Sequence, residues 1–247
     1  MSFLKRLRNV VRYGFGARAR ARKTADKRER KKARFDCAER WQQDAGFARR
    51  RYASYEDYLH HQASKLDGII DRLRETEPQE FAEFLERFSK CTALEARGSV
   101  LCLGARLGTE VRALQALGHF AIGIDLNPGP DNPYVLPGDF HRLAFQDGSL
   151  DAVYTNALDH AFDIDRAVRE AARVIRPGGL FLAEIDVGFG EGSIPGDFEA
   201  AHWKSSQLLI DRIRDRGGFT VESVREIGET RGGRRRQVVF RKPGTPA

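Results

Sequence analysis

The chain has 247 residues, with 42 Lys and Arg against 35 Asp and Glu for a net charge of +7, a length that fits one domain with an extension or two small domains. Its longest apolar run falls far short of the roughly 20 residues of a membrane span, and no secretory apolar segment follows the start, so export is not expected. Three cysteines, Cys37, Cys91 and Cys102, lack CxxC spacing; they support neither a disulfide framework nor a zinc site, no metal is expected, and a reducing cytoplasm is the natural setting.

The charge is unevenly spread. Residues 1–35 hold 14 Lys and Arg against 2 Asp and Glu, a net of +12, and the remainder carries −5. Within this arm Phe3, Leu4, Leu7, Val10 and Val11 fall on one helical arc and Lys5, Arg6, Arg8 and Arg12 on the other, before Gly14 and Gly16. Such a basic amphipathic helix fits an anionic membrane surface, with residues 1–34 as the contact. The other readings are a solvated charge run, a grip on RNA phosphates and a mitochondrial presequence. The membrane surface ranks first, which would put the protein in the cytoplasm at the inner face of a membrane. Nucleic acid ranks lower, since no aromatic-rich binding motif accompanies the charge.

Residues 36–97 read as a helical extension. Ser54 opens "SYED", a capping-box pattern; Leu59, Leu66, Ile69, Ile70 and Leu73 then recur at helical spacing. Pro78 predicts a break, with a second amphipathic helix after it through Phe81, Phe84, Leu85 and Phe88. His61 and Lys65 lie one helical turn apart, and this extension is either a lid or a packed surface helix.

Residues 98–242 change character. The apolar runs "SVLCL", "FAIGID", "YVLPGD", "LDAVYTN" and "LFLAEI" alternate with helical stretches, and "FTVESVREI" and "QVVFR" are joined by a short glycine-containing turn. The expected fold is α/β: a Rossmann-like, doubly wound, mostly parallel seven-stranded sheet with an antiparallel C-terminal edge hairpin. Trp203 reads as a core anchor.

In such a sheet a ligand lies beyond the carboxyl ends of the strands at the switch point. "LCLGARLGTE" supplies Gly104 to end the first strand and Gly108 to open a helix with its N–H groups free. Asp125, 21 residues past Gly104, ends the second strand, where an acid accepts bonds from ribose hydroxyls. A dinucleotide fingerprint fails twice, because Arg106 and Thr109 stand where glycines are required.

These segments, with "GDFHRLAFQDGSLDAVYTN" and "RVIRPGGLFLAEI" in the same order, resemble the class I S-adenosylmethionine-dependent methyltransferases, of the type 11-like sort, over roughly 99–241. "CLGARxGxE" looks like a branch of that family in which Cys102 replaces the usual acid and Arg106 the usual glycine. The resemblance implies S-adenosylmethionine as cofactor. Leu103, Gly104, Ala105, Arg106, Gly108 and Glu110 would lie at its methionine part, Asp125 and Leu126 at its ribose, Asp139, Phe140 and His141 at its adenine, and Asn156 and Ala157 at the end of the fourth strand. We expect Glu110 or Arg106 to meet the amino-acid end of the cofactor, since an ammonium wants an acid and a carboxylate an Arg fork.

Asp159 and His160 are the catalytic candidates: His160 as a general base, or as a structural or cofactor-orienting residue, and Asp159 as the cap of the helix that follows. No Asn-Pro-Pro-Tyr-type motif follows the fourth strand, which favours an oxygen acceptor: an unidentified small molecule, a glycan or a lipid-linked sugar. The rivals are an RNA methyltransferase and a non-catalytic binding protein that keeps the fold and acts through its basic arm. The oligomeric state stays open.

Overall fold

The computed structural model describes residues 22, 25–26, 29–33, 35–37, 39–94, 98–230 and 233–244. The first amphipathic segment of the arm lies outside the described residues.

The main sheet has seven strands. They are β3 (Ser99–Leu103), β4 (Phe120–Asp125), β5 (Val135–Pro137), β6 (Leu150–Thr155), β7 (Ile175–Asp186), β9 (Thr220–Thr230) and β10 (Gly233–Arg241), in the order β5-β4-β3-β6-β7-β10-β9. The first five run parallel; β10 opposes both β7 and β9. The strand that runs against the rest therefore lies one in from the edge, and the edge strand β9 shares the common direction. All seven predicted strands are present.

Alternation along β3 sets the two layers. Leu101 and Leu103 pack on one face with α4 (Ile164–Val174) and α5 (Ser206–Gly217) through Val168, Leu209 and Ile213. Val100 and Cys102 pack on the other with α3 (Thr109–Ala116) and α2 (Ile70–Ser89) through Val111, Leu114, Phe84 and Phe88. The chain leaves β3 toward β4 and β5 and then returns to the far side of β3 for β6. The switch point thus falls between the carboxyl ends of β3 and β6.

The extension departs from an all-helical reading in two places. Residues 41–50 form a hairpin, β1 (Trp41–Asp44) and β2 (Phe47–Arg50), which β8 (Ala201–Trp203) extends to a three-stranded sheet. Ala45 and Gly46 both have positive φ, 45° and 82°, the geometry of a two-residue hairpin turn that matches strand twist. Pro78 does not end a helix: α2 runs through it. The break falls earlier, after α1 (Tyr55–Ala63), at Ser64–Ile69. Ser54 caps α1 as expected, accepting from the Asp57 N–H at 3.1 Å. Trp203 is a buried anchor whose indole N–H donates to the Asp186 carbonyl at 2.9 Å.

Candidate active site

Gly104, at φ +70°, turns the chain off β3 against the end of β6: a Cβ there would stand 2.6 Å from that of Ala157. The next turn is made by Arg106 at φ +47°, a left-handed conformation that costs a non-glycine residue of order 1–2 kcal/mol. Its amide donates to Asp125 Oδ2 at 3.0 Å, and the Asn127 amide donates to Oδ1 at 2.9 Å. The Asp125 carboxylate is thus fixed at the tip of β4 by two backbone donors, with a lone pair on each oxygen to spare. Burial raises its pKa, against the two amides and the Arg106 charge.

Asp139, after β5, is held harder. Its Oδ1 accepts from the backbone N–H (2.8 Å) and Nδ1 (2.7 Å) of His141, and its Oδ2 accepts the Tyr55 hydroxyl. The Asp163 amide donates to His141 Nε2 at 3.2 Å, so the ring proton sits on Nδ1 and points at Asp139. Burial would raise the Asp139 pKa, but these donors outweigh it and hold the group below its usual value.

Two spaces meet at the switch point. The smaller, about 40 Å³, lies among Asp125, Leu126, Asn127 and Phe140 under Tyr58 and Gln62 of α1. The larger, about 600 Å³, runs from α2 past Ala105, Glu110, Asn156 and Asp159 to Asp186, His202 and Arg235. Lys65, Gly104, Arg106, Ala157 and His160 border both. Leu103 faces the core, and Gly108, Asp139 and His141 line neither space: Gly108 packs toward Tyr134 and Val135, and Asp139 is engaged by Tyr55 and His141.

Three titratable groups near the junction are displaced from their ordinary protonation. Burial pushes Glu110, on the first turn of α3, up to about 8. Burial and then the Arg106 charge bring Lys65 down to about 8. His160 is lowered, again by burial first and then by Lys65. Its Nδ1 lies 3.0 Å from the Phe198 carbonyl and so carries the proton, which leaves Nε2 to accept from Lys65 Nζ at 2.7 Å. A ring so engaged is a poor base. Asp159 sits in a one-turn helix, Leu158–His160, and does not cap α4; Asp163 does, accepting from the Arg166 amide at 3.0 Å.

Sequence reasoning missed Tyr55 and Tyr58, though a signal existed. Tyr55, Tyr58, Gln62 and Lys65 recur at spacings of 3, 4 and 3, one helical stripe; Tyr58, Gln62 and Lys65 cover the smaller space, and Tyr55 holds Asp139. Asp186, Glu199, His202 and Arg235 had no local signal.

A family model described as a methyltransferase domain matches residues 101–183. The domain's fold is that of the class I S-adenosylmethionine-dependent enzymes. A Burkholderia thailandensis 1,6-didemethyltoxoflavin-N1-methyltransferase with bound S-adenosylhomocysteine superposes at TM-score 0.64 and 15% identity, covering 82% of this chain and 99% of that one. A methyltransferase of Thermotoga maritima gives 0.58 and 17%, covering 75% and 99%. Among curated proteins, the mitochondrial 2-methoxy-6-polyprenyl-1,4-benzoquinol methylase of Mus musculus is 36% identical over 96 residues, 31% of this chain and 28% of that protein. The sterol 24-C-methyltransferase of Aspergillus fumigatus is 47% identical over 45 residues, 18% and 12%. The chain thus spans less than a third of the length of either relative.

The residues at the switch point fit S-adenosylmethionine. Gly104 leaves a bare cradle that a Cβ would fill, Asp125 offers two spare lone pairs at the β4 tip, and Asp139 and Phe140 stand together beyond β5.

Proposed function

We propose that this protein transfers a methyl group from S-adenosylmethionine to an oxygen of an unidentified acceptor, a small molecule, glycan or lipid-linked sugar. The observation that carries the reading is the pair of carboxylates, Asp125 at the end of β4 and Asp139 after β5, each held by backbone or side-chain donors. The cofactor supplies an activated methyl on a sulfonium with its own leaving group, so the protein's task is alignment.

In this reading Asp125 accepts the ribose hydroxyls, Asp139 with Phe140 takes the adenine edge and ring, and Arg106 and Glu110 take the carboxylate and ammonium of the methionine part. Asn156 and Ala157 present the acceptor side. The larger space, which Glu110 borders, takes the methionine end of the cofactor and, from there toward Arg235, the acceptor. The names of the two curated relatives put lipids among the acceptors of similar domains, a polyprenyl benzoquinol and a sterol, and a lipid-borne acceptor agrees with a basic arm that reaches an anionic surface.

Calorimetric titration with S-adenosylmethionine and S-adenosylhomocysteine tests this. Micromolar binding is expected, and Asp125→Ala weakens it at least a hundredfold, since charge-assisted bonds to both ribose hydroxyls are lost, each worth about 1.5–3 kcal/mol. Arg106→Ala and Glu110→Gln weaken it less. If both leave affinity unchanged, the assignment of the methionine end is wrong. No binding at millimolar ligand would favour the non-catalytic reading, with α1 closed over the site.

A further inference from the structure

We propose that Lys65 is the catalytic base of this site, taking the proton of the acceptor hydroxyl through Nζ while His160 holds it in place. The inference rests on the methyltransferase reading above.

The position argues first. The methyl must pass from the cofactor's space to the acceptor's, and Lys65 borders both together with Gly104, Arg106, Ala157 and His160. Of these only Lys65 and His160 carry a nitrogen able to take up a proton; a guanidinium does not. His160 is spent: Nδ1–H goes to the Phe198 carbonyl and Nε2 accepts from Lys65. It therefore fixes Nζ rather than acting on substrate.

Charge argues second. The groups that face Nζ are Arg106 from the glycine turn, Asp125 from β4, Asp159 and His160 after β6, and Glu199 before β8. The Phe198 ring centroid is 5.7 Å away, and His61 of α1 feels the lysine charge. Burial and then Arg106 weaken the ammonium, against Asp159, Glu199 and Asp125, which favour it. A sulfonium arriving beside it adds a second cation in a site poor in water, and drives Lys65 to the neutral amine that a base requires.

The step then balances. The acceptor O–H bond breaks toward Nζ, the O–CH3 bond forms, and the S–CH3 bond breaks with its electron pair left on sulfur. The charge that moves is on sulfur before and on Lys65 after, while the Arg106 guanidinium stays charged throughout. The new ammonium returns to His160 Nε2, the arrangement observed.

The test compares proton release on binding the two cofactor forms, by calorimetry in buffers of different ionisation heat between pH 6.5 and 9.5. S-adenosylhomocysteine lacks the sulfonium but shares the ammonium and carboxylate, so any proton shed by Glu110 is common to both. The difference between the ligands isolates Lys65. Below pH 8, S-adenosylmethionine is expected to release close to one proton more, and its affinity relative to S-adenosylhomocysteine to rise by up to about tenfold per pH unit, levelling above. Lys65→Met abolishes the difference while still binding S-adenosylhomocysteine; Lys65→Arg favours S-adenosylhomocysteine at every pH. Equal proton release in the parent protein overturns the proposal, as does a difference that survives Lys65→Met. Failure of both ligands to bind the parent protein overturns the methyltransferase reading and this proposal with it.

Discussion

Glu110 is a carboxyl group placed where water barely reaches, 5% exposed on the first turn of α3. Burial pushes it up to about 8 from an ordinary 4.5. Between those values the folded protein keeps a proton that the unfolded chain has released, so stability falls as pH rises through that window. Glu110→Gln keeps the shape and removes the ionisation. Thermal melting of the free protein from pH 5 to 8 should show a flatter profile for the variant, with its largest gain at pH 8. Equal slopes would mean that the Arg106 guanidinium keeps Glu110 ionised throughout. Gly104 makes the opposite demand, for emptiness: its φ of +70° and the 2.6 Å approach to Ala157 leave no room for a methyl. Gly104→Ala should therefore lose about 1–3 kcal/mol in urea unfolding, together with cofactor binding.

At the scale of elements, the site is closed by α1, which is tied down by bonds to distant segments. Tyr58 donates to the His160 carbonyl at 3.1 Å, Gln62 to the Phe198 carbonyl at 2.7 Å, and Asn127 to the Ala63 carbonyl at 2.8 Å. The 40 Å³ beneath it holds a few water molecules, far short of a nucleoside, so cofactor entry requires α1 to lift. A neutral hydrogen bond nets about 1 kcal/mol. Tyr58→Phe and Gln62→Ala should each speed hydrogen exchange of residues 55–63 and cofactor dissociation about fivefold, read by mass spectrometry and stopped flow. Unchanged exchange would mean that ring packing among Tyr52, Tyr55, Tyr58 and Phe162 holds the helix instead. These ties also explain what the sequence yielded. The Gly104 and Gly108 turn and Asp125 were legible because positive φ and a strand-end acid are local demands. The hairpin 41–50 was not, because β2 is completed by β8 some 150 residues on. The tyrosine stripe was visible as a stripe, but its meaning depends on Asp139, 84 residues away from Tyr55.

At the scale of the whole molecule the two ends of the charge distribution oppose each other, +12 in residues 1–35 against −5 in the rest. The boundary is structural too: Phe35 is buried against Trp41 and Phe189, and Lys31 borders the larger cleft. The basic segment therefore joins the domain beside the space proposed for the acceptor. If the arm binds an anionic membrane, each basic residue near the surface contributes about 1 kcal/mol, and the attraction is screened within a Debye length of roughly 10 Å at 0.1 M salt. The full chain should co-sediment with vesicles containing phosphatidylserine and not with phosphatidylcholine alone, and should be released as salt rises toward about 0.5 M. Loss of residues 1–22 should abolish binding and leave S-adenosylhomocysteine affinity unchanged, since the cofactor residues all lie beyond position 100. Indifference to anionic lipid would remove the membrane reading. Retention on RNA under the same salt series would transfer the arm's charge to phosphates of another kind, and the acceptor with it.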